Sequence, residues 1–233
     1  MKKKLPKIEH PIFTVKVPCL DKEINFRPFT AKEEKIFLMA RESGDSKQIA
    51  LALKQVIGNC LVNDDIEDIP LSDVEYLFIN IRSKSINNVI EFSIKGEDGK
   101  SIPLSFNLED AKTMKSDDHD KVIRISDSMS LVMKYPTIDS LYSVIEDIQN
   151  ESAQLELALS CIDYIAVDDE IFDLKDYSKE EIEEFVDDFD ESTLNKISKF
   201  FETTPYTYFE IAYKDSKGED KVFTVRGTDN FFT

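Results

Sequence analysis

Glu23-Ile24-Asn25-Phe26-Arg27-Pro28-Phe29-Thr30-Ala31-Lys32-Glu33-Glu34-Lys35 is the stretch whose reading decides the fold class. Its first four residues alternate polar and apolar side chains, as a half-buried strand does, and residues 12–17 upstream show the same rough alternation. Thr30 and Glu33 then stand at capping-box spacing, in which each side chain accepts the backbone N–H of the other residue. A helix is therefore predicted from Thr30, with Ile36, Phe37 and Met39-Ala40 turned to the core and Ser43-Gly44-Asp45 as its stop. Strands that give way to helices in this order predict an α+β fold.

Working outward, a second helix is expected after Ser46 to about Val62, because Ile49, Leu53, Val56, Ile57, Cys60 and Leu61 fall on one helical stripe. Asn63-Asp64-Asp65 ends it. A third helix is predicted from a further capping box, Ser72 with Glu75, turning Val74, Leu77, Phe78 and Ile81 inward. Residues 89–94 and 102–106 flank a Gly/Asp turn and read as a β-hairpin. Residues 1–109 thus form one expected unit of short strands, a helical cluster and a hairpin.

Residues 110–120 are polar and charged and are expected to act as a linker. In residues 121–233 the same order returns: strands at 122–126 and 131–135, helices from about Ile138 and Ser152, and a hairpin from Glu210 onward. Phe29-Thr30 answers to Pro136-Thr137, and Asn59-Cys60 with Asp64-Asp65 to Ser160-Cys161 with Asp168-Asp169. Glu91-Phe92-Ser93-Ile94-Lys95 answers to Glu210-Ile211-Ala212-Tyr213-Lys214. A diverged internal duplication with an extra helix in the second copy accounts for these parallels; chance agreement of short matches is the competing account.

Acidic residues outnumber basic ones by 47 to 29, giving a net charge of -18 over 233 residues. That balance argues against nucleic acid as a partner, since phosphate binding needs Lys and Arg to displace counterions, and against anionic membrane surfaces. Met1-Lys2-Lys3-Lys4 resembles the charged start of a signal peptide, but Pro6, Lys7, Glu9 and His10 interrupt the apolar run that should follow. Apolar stretches also fall far short of the roughly 18–20 residues that span a bilayer. Cys19, Cys60 and Cys161 form no metal or disulfide spacing and are expected to be plain thiols of a cytosolic protein.

Candidate chemistry fails on spacing. Gly99-Lys100-Ser101 ends like a phosphate-binding loop, but the required glycine five residues earlier is Ile94, and a hairpin turn lacks the helix N-terminus that such a loop needs. The acidic clusters Asp64-Asp65, Asp117-Asp118 with His119 and Asp120, and Asp168-Asp169-Glu170 lack the alternating ligands and central glycine of a calcium loop. With only His10 and His119, a zinc site or a histidine-dependent nucleophile has little to draw on; His119 is expected to be solvated in the linker. No catalytic, cofactor or metal residue is therefore assigned. Residues 178–189 place Ile182, Phe185, Val186 and Phe189 at near-helical spacing among Glu180, Glu181 and Glu184. That is an amphipathic helix, which either covers the core or docks on a basic partner.

Phe26-Arg27-Pro28-Phe29-Thr30-Ala31-Lys32-Glu33-Glu34-Lys35, together with Leu71-Ser72-Asp73-Val74-Glu75-Tyr76-Leu77-Phe78 and Ile81-Arg82-Ser83-Lys84-Ser85, resembles the baseplate hub assembly proteins of T-even-type contractile-tailed bacteriophages, most clearly over the first 110 residues. The resemblance implies a non-enzymatic tail morphogenesis protein, at work in the host cytoplasm during assembly or in the tail baseplate, whose partners are other tail or hub proteins. Arg27, Arg82 and Lys84 stand out among the basic groups within these runs; either buried carboxylates or a partner takes them up. Glu180, Glu181 and Glu184 join them as candidate partner contacts. Two other readings compete: a metal-dependent enzyme built on the aspartate clusters, and an acidic mimic of DNA that occupies a basic protein.

Overall fold

The computed structural model describes residues 8–67, 69–85 and 88–227. Among them are seven α-helices and twelve strands in small sheets, an α+β fold. The chain divides into two compact units, one formed by residues 1–113 with 207–233 and the other by residues 114–206.

In the first unit, β1 (Phe13–Lys16), β2 (Glu23–Phe26) and β3 (Leu61–Val62) form an antiparallel sheet in that order. The capping box predicted at Thr30 opens α1 (Ala31–Ser43), and Gly44 ends the helix in the left-handed conformation that suits glycine. Met39 is the exception to the predicted inward face: it is 62% exposed, while Ala40 is buried. Asp45 caps α2 (Ser46–Cys60) by accepting the N–H groups of Lys47 and Gln48. This helix stops short of Val62 because Leu61 and Val62 leave it to pair with Phe26 and Asn25. The predicted Ser72 cap of α3 (Leu71–Ser83) does not form. Pro70 is the N-cap, so Ser72 already lies inside the helix. Asp73 of the first turn, fully buried, instead accepts the N–H groups of Cys19 and Leu20 at 2.8 and 3.0 Å and ties the β1–β2 connection to α3. Val56, Ile57, Cys60, Val74, Leu77, Phe78 and Ile81 fill the space between the helices.

Two hairpins complete this unit. β4 (Val89–Lys95) pairs with β5 (Ser101–Asn107), and β11 (Tyr206–Lys214) pairs with β12 (Asp220–Arg226), with the short strand β6 (Lys112–Met114) next to β11. Gly99 and Gly218 supply the positive φ of the two turns. The hairpins share one core: Ile79 of α3, Leu104, Phe106 and Leu108, with Phe209, Ile211 and Val225, and the Phe106 and Phe209 rings lie 4.5 Å apart. That shared core is why the closing hairpin belongs with the first unit, whereas the order of elements in sequence grouped it with residues 121–233. Residues 110–120, read as a bare linker, include β6.

The second unit is built on a sheet in the order β10-β9-β8-β7, from β7 (Val122–Arg124), β8 (Met129–Met133), β9 (Ile162–Val167) and β10 (Glu170–Asp173). Helices α4 (Ile138–Val144) and α5 (Glu151–Ser160) connect β8 to β9, and α6 (Lys179–Asp187) and α7 (Glu191–Thr203) follow β10. Thr137 caps α4 as Thr30 caps α1, each through a capping box. Arg27 N–H donates to the Cys60 carbonyl at 2.9 Å, and Lys134 N–H donates to the Cys161 carbonyl at 2.7 Å. The two units therefore close a strand, helix, helix, strand path with the same local bonds.

His119 is half-buried and engaged by its neighbours rather than free in solvent. Its Nδ1 lies 2.9 Å from Thr203 Oγ1 and its Nε2 2.9 Å from the Tyr135 hydroxyl, and its ring packs against those of Tyr135 and Phe200. Burial, reinforced by the Lys121 and Lys115 cations and opposed by Asp120, lowers its pKa below the ordinary histidine value. The unfolded chain thus takes up a proton on this residue before the folded one does. Stability from this site is complete above the unfolded histidine pKa of about 6.5 and is lost as pH falls through the lower folded value. Thermal melts of the wild type should show that loss below about pH 6.5. His119→Ala should lower the melting temperature at pH 8 and remove this part of the pH dependence; an unchanged acid limb would refute the assignment.

Candidate functional site

Two of the three basic candidates of the first unit, Arg27 and Lys84, are paired within their own chain. Arg27, leaving β2, meets Glu33 in the first turn of α1, with its Nη2 3.1 Å from Glu33 Oε1, and also donates to the Pro28 carbonyl. Glu33 is 2% exposed and serves two purposes, as the ion-pair partner of Arg27 and as the capping residue that accepts Thr30 N–H at 2.9 Å. Burial pushes the Glu33 carboxyl up, but the hydrogen bonds from Arg27 and Thr30 outweigh it and hold the pKa at about 2. In return the Glu33 hydrogen bond raises the Arg27 pKa against the opposing effect of burial. Lys84 pairs with Glu109 at 2.5 Å and lies 5.8 Å from the centre of the Phe13 ring. Arg82 is partly buried, beside Phe29, Phe37 and Phe78, and burial together with the Arg41 charge lowers its pKa. Arg27 pairs with a buried carboxylate, whereas the carboxylate that Lys84 meets, Glu109, is exposed.

Some of the groups considered for chemistry have structural surroundings of their own. Asp64 receives Lys22 at 2.5 Å. Burial raises the Cys60 and Cys161 thiols to about 11, which keeps both protonated and poorly nucleophilic near neutral pH. In the Gly96 turn, Gly96 N–H is bonded to the Lys100 carbonyl and Gly99 N–H to the Gly96 carbonyl, both at 2.9 Å, so those amides are spent on the turn rather than aimed at an anion. Among the described residues, no group of three or more His, Cys, Asp or Glu side chains is gathered to hold a metal ion.

The acidic candidates lie on α6. Ser178 accepts Glu181 N–H, and Glu181 reaches back to accept Ser178 N–H at 2.8 Å, a capping box that begins the helix. Those bonds lower the Glu181 pKa. Glu181 therefore has a structural duty that its Ser-x-x-Glu spacing could have disclosed, while Glu180 and Glu184 stand exposed on the outer face. Val186 is buried, but Ile182, Phe185 and Phe189 are only half-buried, so α6 covers its own unit incompletely. Sequence reading missed the companions of this half-open face, Leu155 and Tyr177, because single apolar residues on a helix or loop have no periodic signal of their own.

A family profile described as T4 bacteriophage base plate protein matches residues 10–233. No curated protein and no solved structure gives a significant match.

Removing one member of a largely buried ion pair leaves the other uncompensated, so Arg27→Met should cost about 3 kcal/mol in urea unfolding. Glu33 ionises at about 2 when folded against 4.5 in its ordinary state, so its contribution is present above pH 4.5 and is lost as pH falls towards 2. Glu33→Gln should flatten the acid-unfolding curve in that window. A wild-type curve that is already flat there would contradict the pairing.

Proposed function

This chain belongs to the T4 bacteriophage base plate protein family, and we propose that it is a non-enzymatic assembly factor or structural subunit of the baseplate hub, working through contacts with other hub or tail proteins. The observation that carries this reading is the family match across residues 10–233, nearly the whole chain. The engagement of Arg27, Glu33, Asp64 and His119 in internal bonds supports it, because residues that might have been free for catalysis are used for architecture. The host cytoplasm during assembly is the proposed site of action, and no helix among the described residues is long and apolar enough to cross a membrane. The matching bonds at Arg27 with Cys60 and at Lys134 with Cys161 favour descent of the two halves from one ancestral unit.

Phage that lack this chain should accumulate filled heads without complete baseplates, with tails restored when the chain is supplied in trans. Electron microscopy of infected-cell lysates reads this directly. Normal baseplates in the absence of the chain would overturn the proposal. Heat released on titration with Mg²⁺, Mn²⁺ or Ca²⁺ would instead revive a metal-dependent enzyme.

A further inference from the structure

The sheet of the second unit ends on β10 at one side and on β7 at the other. In an antiparallel ladder, successive residues turn their backbone groups alternately to the two sides of the strand. Asp168 N–H donates to the Ser128 carbonyl at 2.8 Å, so on β9 Ala166 and Tyr164 also bond towards β8, while Val167 and Ile165 bond towards β10. Their partners there are Glu170 and Phe172. Ile171 lies between these two, and its N–H and C=O therefore point out of the sheet at the β10 edge. On β7, Met133 N–H donates to the Lys121 carbonyl at 2.8 Å, so Leu131 bonds to Ile123 and it is Arg124 that turns outward. Its carbonyl is taken up by Lys196 of α7, whose Nζ donates to it at 2.8 Å. A lysine placed on an edge strand blunts it against the addition of a further strand, and the β7 edge is closed in this way.

The β10 edge is built differently. Its strand reads Glu170-Ile171-Phe172-Asp173, with neither Lys nor Pro, and Ile171 is 69% exposed. The charge on the strand and its two flanks has one dominant sign: Asp168, Asp169, Glu170 and Asp176 are exposed and Asp173 is half-buried, against the single exposed cation Lys175. Such an edge selects by charge, because like charges placed opposite one another across a strand pair are destabilising and opposite charges are favourable. A second copy of this chain is disfavoured on that ground. Two β10 strands paired antiparallel through Ile171 would set Asp169 of one copy opposite Asp173 of the other.

We propose that β10 takes up a short, basic, extended segment of another baseplate protein as a fifth strand of this sheet. The segment exchanges backbone hydrogen bonds with the outward N–H and C=O of Ile171, sets an apolar residue beside the Ile171 side chain, and places Lys or Arg at neighbouring positions against Asp169, Glu170 and Asp173. Backbone bonding supplies the attachment, and the carboxylates decide which segments are admitted. This inference rests on the reading of the chain as a baseplate component that acts by protein contact.

The test has two arms on the full chain. In the first, a labelled nine-residue peptide that alternates Lys with Val or Thr is titrated and followed by fluorescence anisotropy. Wild type should bind it, and a counterpart of the same charge, N-methylated at its four central residues, should bind at least tenfold more weakly because it has lost the N–H groups of a strand. Ile171→Pro, which removes an outward N–H and leaves the bonds of Glu170 and Phe172 to β9 in place, should weaken binding of the unmethylated peptide at least tenfold. Asp169→Lys with Glu170→Lys should weaken it at least fivefold, and Glu34→Lys with Glu42→Lys, the same charge change in the first unit, less than twofold. Absence of binding by wild type, equal binding of the two peptides, or equal losses for the two double variants would overturn the proposal, and the comparison of peptides on wild type holds even where Ile171→Pro fails to fold. In the second arm, a benzophenone side chain at position 171 is activated in chain co-expressed with the other baseplate proteins of its phage. A crosslink to a net-positive segment of one of them is expected. A crosslink to a second copy or to an acidic segment, or none although the wild type co-purifies with baseplate proteins, would refute strand addition at β10 and leave the baseplate reading standing. A wild type that co-purifies with none of them would instead refute the baseplate reading, and the partner assignment with it.

Discussion

The packing of Phe106 on Phe209 is the contact on which the rest of the architecture depends. A two-stranded hairpin is marginal by itself in water, and the sheet of β4 and β5 has only two strands. It gains a core by burying Leu104, Phe106 and Leu108 against Phe209, Ile211 and Val225, with Ile79 of α3 between them. Each fully buried side chain of this size contributes about 2 kcal/mol. Because the two hairpins come from positions roughly a hundred residues apart in the chain, this core joins its two ends into one unit. Residues 114–206 are thereby set apart as an insert with its own sheet and its own buried residues.

Polar groups fix the details that apolar packing leaves loose. Arg27 with Glu33 sets the angle at which β2 enters α1, Asp73 holds the β1–β2 connection to α3, and His119 secures the start of the insert to Tyr135 and Thr203. Each is a buried or half-buried group that retains its hydrogen-bonding partners, which is what makes its burial tolerable. Among the described residues the Thr207 hydroxyl is the buried side-chain group without a partner.

Local signals in the sequence predicted much of this. The Thr30 capping box, Val56, Ile57 and Cys60 of the predicted α2 stripe, and both hairpin turns are written within a few residues, and the structure contains them, while Ile49 and Leu53 of that stripe are only half-buried. Signals that depended on a neighbour misled. Pro70 moved the start of α3 so that the Ser72 and Glu75 pair never became a cap, and pairing with β2 drew Leu61 and Val62 out of α2. His119 lies in a polar stretch, and its partners are 16 and 84 residues away. The packing of the two hairpins was likewise invisible, because alternation shows that Phe209 and Ile211 face a core without showing whose core it is. Of the candidate residues, the exposed Glu180 and Glu184 were legible from helical spacing, whereas the clefts lined by α5, α6 and the sheet exist only in the fold.

The core shared by the two hairpins holds residues 1–113 and 207–233 in one unit, and residues 114–206 form the other. Native-state hydrogen exchange on the intact protein and on Phe209→Ala tests that construction most directly. The account predicts that the substitution lowers protection in β11–β12 and β4–β5 together and leaves the β8–β9 ladder, where Leu131 pairs with Ile165, as protected as before. Loss of protection in β8–β9 together with β11–β12, with β4–β5 unchanged, would contradict it.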